Sequence, residues 1–183
     1  MTYNEIITLK DGRTCLLRNG TAEDGEIALA LFLRTHEETD YMASYADECT
    51  MTAADEAAYL KKQTESKDGI EIYAFVDGRA VGSAGIEPHA PNSKIRHRAD
   101  FGIGIERDYW GLGIGNALTD ACIRCAEKAG FHQLELSVVA GNEKAISLYR
   151  KKGFIEFGRN PRAFLSRYSG YQELIMMRKE LTP

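Results

Sequence analysis

The chain has 183 residues, 44% of them hydrophobic and 27% charged, which fits a single globular domain over residues 1–183 with a core of its own. A net charge of −4 gives no electrostatic reason to expect nucleic acid as a partner, because a polyanion needs a basic face. No segment approaches the ~20 apolar residues of a membrane span, and Met1-Thr2-Tyr3-Asn4-Glu5 carries neither a basic leader nor an apolar stretch, so a cytoplasmic chain without a membrane is expected.

Taken in chain order, alternation around Asp11-Gly12 predicts an opening hairpin, Glu5 to Leu9 and Arg13 to Arg18. Thr21 with Asp24 three residues on resembles a capping box, and Ile27, Leu31 and Arg34-Thr35 mark a helix to about His36. Residues 37–51 read equally as a loop or a short helix. A second box, Thr52 with Asp55, opens a helix through Ala57, Ala58 and Leu60 that closes before Gly69. Ile70 to Val76 and Arg79 to Glu87 flank Asp77-Gly78, a strong hairpin signal. After Pro88, Pro91 and Asn92 comes a strand, Arg98 to Ile105, whose Gly102 and Gly104 let another backbone or a ligand come close.

From Gly115 the period changes. Leu118, Ala121, Cys122, Cys125, Ala126 and Ala129 recur at three and four, giving an amphipathic helix that ends at Gly130. Cys122 and Cys125 form a C-x-x-C inside this helix with only His132 nearby, which is the context of structural thiols, and no metal is expected. Cys15 and Cys49 complete a set too sparse for a disulfide scaffold. Leu134, Leu136 and Val138 alternate as a strand, and Ala145, Ile146, Leu148 and Tyr149 begin a short helix stopped by Gly153. A short strand near Ile155 to Phe157, a long Arg-containing loop and a last strand, Tyr171 to Arg178, complete the chain. Hairpins combined with one strand-helix-strand crossover predict an α/β fold around a mixed, mostly antiparallel sheet flanked by helices.

The chemically informative stretch is Trp110-Gly111-Leu112-Gly113-Ile114-Gly115-Asn116, a glycine-rich turn between a strand and a helix. Without Cβ atoms, the amides of residues 111–116 can converge on a phosphate at the positive end of the helix dipole. A dinucleotide, coenzyme A and a simple phosphate all fit that description, as does a tight connection with no ligand. A Rossmann site is disfavoured because the spacing is G-x-G-x-G, the turn lies five residues beyond Ile105, and Glu135 stands early in its strand. No Lys-Ser/Thr pair follows the glycines, so a Walker motif is absent.

At this turn the sequence resembles the GCN5-related N-acetyltransferase (GNAT) family, whose motif is Arg/Gln-x-x-Gly-x-Gly/Ala, with Trp110 departing from the usual Arg or Gln. A second block, Asn142-Glu143-Lys144-Ala145-Ile146-Ser147-Leu148-Tyr149-Arg150-Lys151-Lys152-Gly153-Phe154, resembles the family's Asn-x-x-Ala-x-x-Leu-Tyr-x-x-x-Gly-Phe segment. The resemblance covers residues 70–180 well and implies an acyl-CoA N-acyltransferase fold with splayed fourth and fifth strands. It implies acetyl-CoA as co-substrate and an amine of a small molecule or a protein N-terminus as acceptor. On the same basis Ile103, Gly104 and Ile105 flank the pantetheine, Trp110 and the amides from Gly111 to Asn116 (with Leu112, Gly113, Ile114 and Gly115 between) bind the pyrophosphate, and Asn142 and Ala145 border the pantetheine arm. Tyr149 is placed beside the sulfur.

Acetylating an amine requires removal of a proton from a group with a pKa near ~10.4, and the leaving thiolate needs a proton in turn. Tyr149 is the expected general acid. Glu87 and Asp100, at strand ends that reach a cleft, are the candidate bases, with His97 beside them. The Arg-bearing segment 158–168 favours a carboxylate-bearing acceptor, whereas Glu37, Glu38 and Asp40 favour a cationic amine. A sensor that binds acetyl-CoA without turning it over and a dinucleotide-binding protein are the alternatives, and a homodimer is the commonest assembly for such a chain.

Overall fold

The computed structural model describes residues 1–182. Strands β1 (Asn4–Thr8), β2 (Thr14–Asn19), β3 (Ile70–Val76), β4 (Arg79–Pro88), β5 (Arg98–Ile105), β6 (Gln133–Val139), β7 (Ile155–Ser166) and β8 (Gly170–Glu180) form one sheet in the order β1-β2-β3-β4-β5-β6-β8-β7. Every neighbouring pair is antiparallel except β5 with β6. Helices α1 (Gly25–Glu37) and α2 (Ala53–Glu65) cover one face, and α3 (Ile114–Lys128) packs on the other, with α4 (Glu143–Lys151) following β6. Among the described residues no helix is long and apolar enough to cross a membrane.

The two-residue period of β3 assigns each face. Ile70, Ile72, Ala74 and Val76 join the large core with Ile114, Leu118 and Cys122 of α3, while Tyr73 and Phe75 join the smaller one with Leu31 of α1 and Leu60 of α2. Burying residues such as Leu118 and Ile72 contributes roughly 1.5–3 kcal/mol each, which outweighs local propensity and locks the register. Both expected capping boxes form: the Asp24 carboxylate accepts from the Thr21 N–H at 2.8 Å, and that of Asp55 from the Thr52 N–H at 2.8 Å. Asp77 and Gly78 adopt φ of 51° and 77°, the left-handed pair of a tight hairpin turn. Cys122 and Cys125 are buried free thiols in α3.

One reading is corrected. The stretch after Phe157 is a strand and not a long loop: β7 continues to Ser166 against β8, interrupted by register shifts near Gly158 and between Asn160 and Phe164. Those irregularities break the alternation that sequence periodicity relies on. The splayed pair, the fourth and fifth strands in the family's count, is β5 and β6 when strands are numbered from the opening hairpin. β5 and β6 pair only at Arg98↔Gln133, Ala99↔Leu134 and Asp100↔Glu135, after which each follows its other neighbour. The resulting wedge opens towards the end of β5.

Candidate functional site

The glycine turn sits at the mouth of this wedge. Gly111 and Gly113 hold φ of 81° and 106°, and Gly113 is the N-cap of α3. The N–H groups of Gly111, Leu112, Gly113, Ile114, Gly115 and Asn116 donate to no described residue; the first helical bond is from Ala117 to the Gly113 carbonyl. Nothing lies within 4 Å of where a side chain on Gly111 or Gly113 would stand. Free amides, an open surface and the positive end of a 15-residue helix together make a socket chemically suited to an anion such as a diphosphate. Trp110 braces it, its Nε1–H donating to the Ile105 carbonyl at 2.7 Å. Lys144 and Arg107 lie over its ring, at 5.4 and 5.8 Å, so two cations flank the socket.

β5 presents main-chain groups to the wedge. The bond from the Glu106 N–H to the Val81 carbonyl sets the phase of the antiparallel ladder, so Gly104 and Gly102 bond towards β4 while Ile103 and Ile105 turn their polar groups the other way. There β6 has already diverged. Ile103 therefore offers both its N–H and its carbonyl to the wedge and Ile105 offers its N–H, its carbonyl being held by Trp110, while the missing side chain of Gly104 leaves room for Met42 and Thr35.

Across the wedge, the Asn142 Oδ1 caps α4 by accepting from the Ala145 N–H at 3.2 Å, which leaves the Asn142 amide NH2 to donate elsewhere. Tyr149, on the inner face of α4, is 7% exposed and meets Phe101 of β5 edge-on and Phe154 at a tilt, with ring centroids 6.1 and 5.9 Å away. Its hydroxyl makes no hydrogen bond with a described residue, and burial alone pushes its pKa up to about 12. The phenol therefore stays protonated.

A cavity of about 580 Å³ extends from Ile103 and Gly104 beneath α1 and α2. Glu87 and Asp100, cross-strand partners on β4 and β5, both line it. Glu87 accepts from the Gln63 side chain, and Asp100 is engaged with His89 Nδ1 at 3.0 Å. His97 does not line the cavity; its carbonyl accepts from the amides of His132 and Gln133 where β5 and β6 begin. The cavity adds an acid that sequence reasoning missed, Glu71 of β3. Burial pushes its carboxyl up to about 7; the Ser83 hydroxyl opposes this, and the charges of Glu87 and Glu56 add to it.

The sequence profile of the Acetyltransferase (GNAT) family matches residues 30–154. The chain belongs to the GNAT acetyltransferase family. A GNAT acetyltransferase from Streptococcus pneumoniae superposes with a TM-score of 0.86 at 28% identity, covering 92% of this chain and 99% of its own. The mycothiol acetyltransferase of Paenarthrobacter aurescens is 27% identical over 79% of this chain and 47% of its own length. The L-methionine sulfoximine/L-methionine sulfone acetyltransferase of Pseudomonas aeruginosa is 26% identical over 66% of this chain and 70% of its own. The chain thus spans about half the length of the mycothiol acetyltransferases it matches. A Salmonella typhimurium structure with acetyl-CoA shares the fold at a TM-score of 0.81 and 15% identity, over 92% of this chain and 94% of that one.

Within this GNAT domain, Glu71 had a signal in the sequence. It is the one charge in Ile70-Glu71-Ile72-Tyr73-Ala74-Phe75-Val76, an otherwise apolar strand, and a lone charge there needs a reason. The arginines of β7 and its turn are engaged elsewhere: Arg159 with Glu156 and Glu173, Arg167 with Asp47 and Glu48, and Arg162 over the Tyr171 ring at 4.9 Å.

Proposed function

We propose that the protein moves the acetyl group of acetyl-CoA to a primary amine by direct transfer. The observation that carries this reading is the set of uncommitted amides from Gly111 to Asn116 beside a strand, β5, that turns the polar groups of Ile103 into an open wedge. Acetyl-CoA supplies an activated thioester carbonyl. In the balanced step the neutral amine nitrogen gains the acyl carbon, the C–S bond breaks, one amine proton passes to a carboxylate, and the thiolate, hydrogen-bonded by Tyr149, takes a proton from water. No oxidation state changes.

Tyr149 is the hydrogen-bond donor to sulfur. With its pKa near 12 and an alkyl thiol near 8.5, complete transfer to a formed thiolate is uphill by about 5 kcal/mol, so the hydroxyl serves best as a hydrogen-bond donor while charge develops. Glu71 is the base favoured by the cavity, because Glu87 is held by Gln63 and Asp100 by His89, and a carboxyl with a pKa close to the working pH is suited to general-base chemistry. These acids beside the wedge favour an enzyme over a non-catalytic sensor.

Titration calorimetry with acetyl-CoA and with NAD, followed by a thiol-release assay over a panel of amines, tests the function. Micromolar acetyl-CoA binding with amine-dependent thiol release is expected. NAD binding without coenzyme A binding, or acetyl-CoA binding with no release for any amine, overturns it.

A further inference from the structure

Four acids among the described residues are buried: Asp24, Glu56, Glu106 and Glu135. Three have arginine partners, Asp24 with Arg18, Glu106 with Arg34 and Arg79, and Glu135 with Arg98. Glu56 of α2, 8% exposed, has neither a hydrogen bond to its carboxylate nor an ion pair with a described residue, and it faces the cavity above Glu71. Its oxygens are open to the cavity and not sealed in the core, so the unpaired carboxylate is available to a cationic ligand. Tyr73, 4% exposed, also lines the cavity with a hydroxyl that bonds to no described residue. No Lys or Arg described lines this space, and burial pushes its one imidazole, His36, below its ordinary value, which disfavours the charged form.

We infer that the acceptor is an aliphatic diamine or polyamine without a carboxylate. One ammonium group is held by Glu56 and the Tyr73 hydroxyl, and the second nitrogen lies towards Glu71 and Ile103, where the acetyl group arrives. The volume of about 580 Å³ accommodates an extended chain of this kind, and Phe32, Met42, Met51 and Tyr59 supply apolar walls for its methylenes. An amino acid acceptor would place its carboxylate against Glu56, Glu71 or Glu87 with no cation to receive it, a like-charge contact that discriminates strongly. This inference rests on the acetyl-transfer reading and refines its acceptor.

The test compares 1,4-diaminobutane and spermidine with butylamine and with methionine sulfoximine in the thiol-release assay, and measures diaminobutane binding to the wild-type coenzyme A complex by calorimetry. Expected are a kcat/KM for the diamines at least tenfold above that for either other amine, and a diamine-to-butylamine ratio that collapses to within about twofold in Glu56→Gln. Diamine binding to the wild-type complex is read independently of that variant's folding. Equal or better use of methionine sulfoximine, no diamine binding at millimolar concentration, or an unchanged ratio in Glu56→Gln overturns the inference while leaving acetyl transfer intact. Failure of acetyl-CoA itself to bind removes the parent reading instead.

Discussion

The Glu71 carboxylate occupies the space in which a side chain on its cross-strand neighbour Gly85 would stand. Glycine at position 85 is thus a condition for where Glu71 points. Gly85→Ala displaces the flexible end of Glu71, with the Ile70 carbonyl 3.0 Å from the added methyl as the harder constraint. Turnover should fall about tenfold or more, while stability falls by about 1–3 kcal/mol. Measuring kcat beside a urea denaturation curve separates the two, and an unchanged kcat would remove Glu71 from the mechanism.

The pH dependence follows from the same group. As base, Glu71 should give an acidic limb in kcat/KM centred near pH 7, and Glu71→Gln should abolish it along with most activity. Because its folded pKa, about 7, lies above the ordinary 4.5, its contribution to stability is fully present below that ordinary value and is lost as pH rises through 7. The upper bound is on the order of 3 kcal/mol. Urea unfolding of wild type and Glu71→Gln between about pH 5 and 8 should show a downward slope in the first only.

Asp24 works in the opposite direction. The Arg18 guanidinium, held by bonds of 2.7 Å to both its oxygens, lowers its pKa from 3.8 to about 2 against the effect of burial. Its stabilisation is present above 3.8 and disappears as pH falls through 2. At neutral pH, Asp24→Asn should cost on the order of 2 kcal/mol, because it also strands Arg18, which lies 4.2 Å over the Phe75 ring. A chemical denaturation midpoint equal to that of wild type would show the pair to be neutral.

Gly113→Ala tests the diphosphate socket. The added methyl meets nothing, so its cost is the backbone strain of φ at 106°, about 1–2 kcal/mol, relieved by rotating the amides. Affinity for coenzyme A should drop about tenfold in calorimetry, with the melting temperature reduced by only a few degrees. Retained affinity would place the diphosphate elsewhere.

Tyr149→Phe keeps the ring packed against Phe101 and Phe154 and removes a hydroxyl that no described residue uses. Stability should change by less than about 1 kcal/mol and coenzyme A affinity hardly at all, while kcat falls on the order of 10–100-fold. A thiol-release assay at saturating acetyl-CoA measures this directly.

Much of the fold was legible in the residues because the signals are local. Both capping boxes, the Asp77-Gly78 turn and the α3 period act within a few residues, and each reappears at its expected place. The glycine spacing likewise marked the turn, and the structure holds Gly111 and Gly113 there in left-handed conformations. β7 was read as a loop because register shifts interrupt its alternation, and its pairing with β8 outweighs that local signal.

The charge of the acceptor pocket belongs to the tertiary structure. Glu56 looks unremarkable on its polar helix and Glu71 stands out only as a lone charge in its strand, and only the packing of α2 over β3 brings both into a cavity lined by no described Lys or Arg. Of the arginines that argued for an anionic acceptor, Arg167 pairs with the distant Asp47 and Glu48 and Arg159 with Glu156 and Glu173, while Arg162 lies over the Tyr171 ring. Turn and cap chemistry depends on neighbours along the chain and can be read from it, whereas the sign of a pocket depends on which charges find partners across the fold, and folding alone decides that.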